Sequence, residues 1–136
     1  MKLSDAIEAG FPLATPTAFN LFAQFEPNGP IEACTMGMGV LGAGIVTREQ
    51  VELIAATEWN QVIGEEFGDS MEKHFPGCTE TRRALNLAAE ARFQYGGFMS
   101  EESADTLSVL GLIAVLNDEV GVPPLDIAAL LREFGF

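Results

Sequence analysis

The sequence predicts an all-α fold: a single helical domain over residues 1–136, with about five helices packed around a central apolar helix at about residues 103–117. Apolar residues recur at three- and four-residue spacing along much of the chain, and no stretch alternates apolar with polar as a half-buried strand would. Turn residues separate these periodic stretches. A chain of 136 residues that is 48% apolar can bury one core without a metal or disulfide to staple it.

Leu3, Ala6, Ile7 and Gly10 form the face of a short first helix ending at Gly10. Pro12 and Pro16 then punctuate a connection, and Thr17 can cap a turn carrying Phe19, Phe22 and Phe25 near one face. The run Glu26-Pro27-Asn28-Gly29-Pro30 reads as a turn. Residues 33–45 carry Gly37, Gly39, Gly42 and Gly44, which weaken a helix by about 1 kcal/mol each, so this segment needs close tertiary neighbours.

Thr47 and Gln50 make a capping box for a helix whose face is Val51, Ile54, Ala55, Trp59, Val62 and Ile63, with Gly64 weakening its end. Residues 65–78 read as an acidic loop or irregular short helix. Thr79 or Thr81 starts a helix with Ala84, Leu87, Ala88, Ala91 and Tyr95 on its face, stopped by Gly96-Gly97. Ser100 and the acids after it start the central helix, apolar around most of its circumference from Leu107 to Leu116 and ended by Asn117-Asp118-Glu119. Pro123-Pro124 opens a last helix with Ile127, Leu130, Leu131 and Phe134 on one face.

Twenty acidic against 7 basic residues give a net charge of -13. Such a balance repels phosphate backbones and anionic bilayers, which argues against direct nucleic-acid or membrane binding. The opening Met1-Lys2-Leu3-Ser4-Asp5 has no apolar leader core, and the apolar run Val109 to Leu116 is too short to cross a bilayer, so the reading is a cytoplasmic protein. Cys34 and Cys78 then read as reduced, buried thiols. The acids from Glu49 to Glu80 meet Lys73 alone, those after Phe93 meet Arg132 alone, and Arg82, Arg83 and Arg92 form the basic cluster. The plain account of these stretches is a solvated surface; imitation of nucleic acid in a partner's basic groove, or adaptation to a salty host, are the alternatives.

Gly37-Met38-Gly39-Val40-Leu41-Gly42 is a literal G-x-G-x-x-G. Its context does not suit a dinucleotide: 31–36 is a poor strand, and Glu58, at the distance of a ribose-binding acid, lies in a helical pattern. Close helix approach explains the glycines instead.

Cys34 falls near the first turn of that helix, where the dipole can lower a thiol pKa, and a small cysteine-dependent enzyme would add His74 as base and Asn117 or Asp118 to orient it. Nothing in their spacing joins these residues, and Cys34 reads first as packing. His74 and Cys78, with Cys34, lack the fourth group a structural zinc needs. Glu65, Glu66, Asp69 and Glu72 lack the ordered pattern of a calcium loop and form instead a candidate interaction surface. No cofactor and no metal is expected. Asn117-Asp118 reads first as a helix cap. The phenylalanine series and Trp59 read as core, and as contact surface if exposed.

Residues 33–38 (Ala-Cys-Thr-Met-Gly-Met), 112–118 (Leu-Ile-Ala-Val-Leu-Asn-Asp) and 126–131 (Asp-Ile-Ala-Ala-Leu-Leu), with the opening Leu3-Ser4-Asp5-Ala6-Ile7, resemble a loose set of small bacterial and phage proteins of unknown function. Those proteins carry a Cys-Ala-Leu-Gly-Ala-like segment and a later Leu-Asn-Asp or Trp-Asn-Asp before a terminal helix. Thr35-Met36 stands here where Ala-Leu is usual, and no aromatic precedes Asn117. The resemblance implies a helical fold and points to Cys34, Asn117 and Asp118 without assigning them chemistry. The expectation is a non-enzymatic interaction or regulatory protein of phage derivation that binds a protein partner or itself.

Overall fold

The computed structural model describes residues 1–19, 21–23, 29–55, 65–94 and 104–136, with 52–55 and 65–67 described in backbone only. Helix α1 (Leu3–Gly10) leads through a single 3-10 turn (Phe11–Leu13) to three short strands, β1 (Thr15–Pro16), β2 (Phe22–Ala23) and β3 (Glu32–Ala33). Then come α2 (Thr35–Gly42), α3 (Arg48–Ala55), α4 (Glu65–His74), α5 (Arg83–Phe93), α6 (Val109–Ala114), which continues as a π-helical turn (Val115–Val120), and α7 (Pro124–Glu133).

The fold is therefore mostly helical but not all-α. The strands form one mixed sheet in the order β1-β3-β2, with β1 parallel and β2 antiparallel to β3. Strands of two residues each are too short to show an alternating pattern, which is why periodicity misses them. Pro16 is tolerated because β1 is an edge strand. The sheet also replaces the helical turn expected at Thr17: Phe22 is buried, Phe19 is exposed, and Phe25 lies outside the described residues.

Helix α2 is the most enclosed element. Residues 35–41 are all buried, because α1 lies along one side of it and Leu21 crosses its start. Glycine makes this possible. A Cβ on Gly42 would stand 1.8 Å from the carbonyl oxygen of Ala6, and one on Gly37 would stand 2.2 Å from that of Leu21. A Cβ on Gly10 would in turn stand 1.8 Å from the Met38 carbonyl oxygen. Helix α7 packs on α1 through Ile127, Leu130 and Leu131, and Arg132 pairs with Asp5 and Glu8 at the rim.

Several boundaries differ from the sequence reading. Seven α-helices occur among the described residues rather than about five, since residues 65–74 form α4 and the central helix is short. That helix starts at Val109, not at about 103, with Ser108 Oγ accepting from Gly111 N–H at 3.0 Å. Thr81 bridges Ser108, and Val109 and Leu110 donate to the carbonyls of Glu80 and Cys78, so tertiary bonds fix the start. Ser100 to Ser103 lie outside the described residues.

The other end runs past Asn117-Asp118-Glu119 to Gly121, whose φ of 78° terminates it. Helix α5 buries Leu85, Asn86 and Ala89, while Ala84, Leu87 and Ala91 face outward; it stops at Gln94, ahead of the expected Gly96-Gly97. At the far end Gly135, with φ 85°, turns the chain so that Phe136 is buried and Phe134 is exposed. The Thr47–Gln50 capping box forms as expected, with reciprocal bonds of 2.9 and 3.4 Å. Trp59, Val62 and Ile63 lie outside the described residues. Among the described residues no helix is long and apolar enough to cross a membrane.

Gly42→Ala is expected to destabilise the fold by about 3 kcal/mol, because the new methyl meets backbone rather than a movable side chain. Gly44→Ala, at φ +72° with nothing within 4 Å, is expected to cost only about 1 kcal/mol. Urea unfolding of the two variants beside wild type measures the difference.

Candidate functional site

The strand β3 delivers the chain to α2 with Cys34 as its N-cap. Only Glu32–Ala33 of residues 31–36 is strand, in keeping with the reading of that stretch as a poor strand, and the geometry does not make a phosphate site. The glycines lie inside the helix and are filled by neighbouring backbone, and Glu58 lies outside the described residues. The first N–H groups of a helix lack intrahelical partners and must find others when buried. Gly37 N–H finds the Cys34 Sγ at 3.4 Å, and Thr35 N–H finds Asn117 Oδ1 at 3.0 Å.

Asn117 reaches that position from the π-helical turn. One extra residue per turn there shifts the side chains relative to an α-helical path, a distortion common at functional positions. Its Oδ1 also accepts from Thr35 Oγ1 at 2.7 Å. Its Nδ2 donates to the Thr17 carbonyl at 3.0 Å and to Asp118 Oδ1 at 2.8 Å. Both lone pairs and both protons of the amide are thus used. Asn117 is 8% exposed and ties together the end of β1, the start of α2 and the π turn.

Asp118, half-buried, accepts a further bond from Phe19 N–H at 2.9 Å. Phe19 has φ 69°, in the left-handed region that a bulky residue rarely enters. The residue is 72% exposed.

Three of the residues singled out in the sequence, Cys34, Asn117 and Asp118, therefore do come together, around the start of α2. Burial pushes the Cys34 thiol up to about 11, and the Asp118 charge adds to this, outweighing the N–H groups of Gly37 and Met36. The expected lowering by the helix start is overridden, and the group is a thiol that caps a helix. Asn117 is a clamp within the protein and not a helix cap, since the left-handed cap is Gly121. His74 stands exposed at the end of α4 beside Phe75 and makes no hydrogen bond to Cys34, Asn117 or Asp118 among the described residues.

Thr35, Thr17 and Phe19 were not legible as members of this cluster. Thr17 and Phe19 take part through backbone groups, which any residue carries, so no side-chain signal marks them.

The acidic segment 65–72 also divides. Asp69 is exposed, and the side chains of Glu65 and Glu66 lie outside the described set. Glu72 turns inward to the loop after α4: Oε1 accepts from Gly77 N–H at 2.7 Å, and Oε2 accepts from Thr79 N–H at 3.0 Å and Thr79 Oγ1 at 2.7 Å. These bonds, that of Gly77 first, hold its carboxyl down to about 2. Glu72 is thus an anchor of the loop after α4. Beside it, burial and then the Glu72 charge push the Cys78 thiol up to about 12. Both cysteines are free and buried, and among the described residues no three His, Cys, Asp or Glu stand together as metal ligands.

Asn117→Ala is expected to destabilise by about 3 kcal/mol in urea unfolding, because it strands the buried Thr35 N–H and hydroxyl, with Asn117→Asp costing more at pH 7 beside Asp118. Glu72 titrates lower in the folded than in the unfolded chain, so its stabilisation is complete above pH about 4.5 and is lost as pH falls toward about 2. Glu72→Gln is expected to flatten the pH dependence of the melting temperature within that window; an unchanged slope would count against the anchoring role.

Comparison of the chain with known protein families, with curated proteins and with solved structures finds no match.

Proposed function

We propose that the protein is a non-catalytic, acidic interaction protein that contacts a protein partner, or a second copy of itself, through the exposed ring of Phe19. The observation that carries this reading is the pairing of backbone strain with exposure at that residue. A left-handed conformation at a phenylalanine costs about 1–3 kcal/mol. A ring left in water returns none of that cost through burial. Asp118 holds the strained backbone, and Asn117 holds Asp118, so the buried clamp serves to present an aromatic group outward.

Exposed aromatic rings are frequent anchors of protein interfaces, where they fill a partner's apolar pocket. The net charge of -13 complements a basic rim around such a pocket and repels nucleic acid and anionic bilayers. The reading includes a cytoplasmic location. The raised Cys34 thiol supports a capping role for that residue over a nucleophilic one.

Phe19→Ala and Phe19→Gly test the proposal together. Both are expected to abolish partner capture or self-association, read by quantitative affinity capture and by sedimentation over a range of concentrations. Glycine is expected to leave the protein about 1 kcal/mol more stable than alanine because it accepts the positive φ. A partner or dimer retained undiminished by both variants, or a wild-type chain that is monomeric and captures nothing, overturns the reading.

A further inference from the structure

Away from Phe19, the 3-10 turn, the residue before β3, the end of α2 and the start of α3 border a cleft of about 260 Å³. Leu13, Ile31, Leu41 and Val46 line it, with Gly44, Thr47 and Arg48 completing its wall. Its volume lies just below the range of roughly 300–1,000 Å³ usual for small-molecule sites, which restricts it to a small occupant.

Arg48 sets the chemistry. Arg82, Arg83, Arg92 and Arg132 each pair with a carboxylate, but Arg48 has no ion-pair partner among the described residues, in a chain with 20 acids. Its place in the first turn of α3 gives the charge no helix-dipole benefit, since cations are favoured at the opposite end. A guanidinium with no ion pair among the described residues, on the wall of a mainly aliphatic cleft, matches a ligand with one carboxylate and a hydrocarbon body.

We propose that this cleft binds a free medium-chain fatty acid, its carboxylate on Arg48 and its chain among Leu13, Ile31, Leu41 and Val46. Recognition comes from contact, because the protein's net charge opposes an anion at long range. Chain burial makes affinity rise with length until the cleft is full.

The test is amide-resolved NMR titration of the full chain with sodium hexanoate, sodium octanoate and octan-1-ol, in wild type, Arg48→Lys and Arg48→Gln. The substitutions are at an exposed position, and retained amide dispersion verifies folding. Saturable shifts are expected at residues 41–48 and at Ile31, with octanoate binding roughly tenfold more tightly than hexanoate. Arg48→Gln is expected to weaken octanoate at least fivefold and leave octanol unchanged, while Arg48→Lys keeps most of the affinity. No saturation with octanoate, equal effects of Arg48→Gln on acid and alcohol, or tighter binding of a short peptide ending in a leucine carboxylate overturns the proposal.

Discussion

The contact of backbone on backbone around α2 is the constraint on which the rest of the structure depends. Gly42 lets Ala6 of α1 touch the helix, Gly37 lets the Leu21 carbonyl cross its start, and Gly10 accepts the Met38 carbonyl from the other side. With no side chains between them, these segments approach closely enough to bury the whole length of α2. Burial then creates a second requirement, because the N-terminal N–H groups of α2 are removed from water and need acceptors. Cys34 and Asn117 meet it.

From that requirement follow the protonation state of Cys34 and the geometry around Asn117. Burial, with the Asp118 charge, raises the Cys34 thiol above its ordinary value despite the N–H groups of the helix start. Asn117 joins elements separated by 82 and 100 positions in the chain, and Asp118 extends the network to a strained residue 99 positions away. A continuous path of hydrogen bonds thus runs from the buried start of α2 to the backbone of the exposed Phe19. The proposed interaction role places the purpose of that path at its outer end.

Some elements could be read because their signal is local. The face Leu3, Ala6, Ile7, the Thr47–Gln50 box and the Pro123-Pro124 start of α7 each depend on residues within a few positions of one another, and each forms as read. The start of the central helix is not legible because several serines offer a capping hydroxyl, and the cap at Ser108 rests on bonds to residues 78–81. The face of α5 was misjudged because alanines and a leucine on its outer side mimic a core stripe, whereas the buried face includes Asn86, whose amide donates to the carbonyls of Ala104 and Leu107. Glu72 looked like its acidic neighbours, although its carboxylate answers N–H groups of a loop that composition does not describe.

By itself the sequence determined the excess of carboxylates, the helical character of most of the chain and the glycine-rich segment that demands close neighbours, since composition and short-range periodicity express all three. Tertiary structure alone decided the small mixed sheet, the π turn that swings Asn117 onto Thr35, the raised thiol of Cys34 and the outward, left-handed Phe19. These depend on backbone groups meeting across long separations, and every residue carries the same N–H and C=O, so side-chain identity cannot announce where they meet.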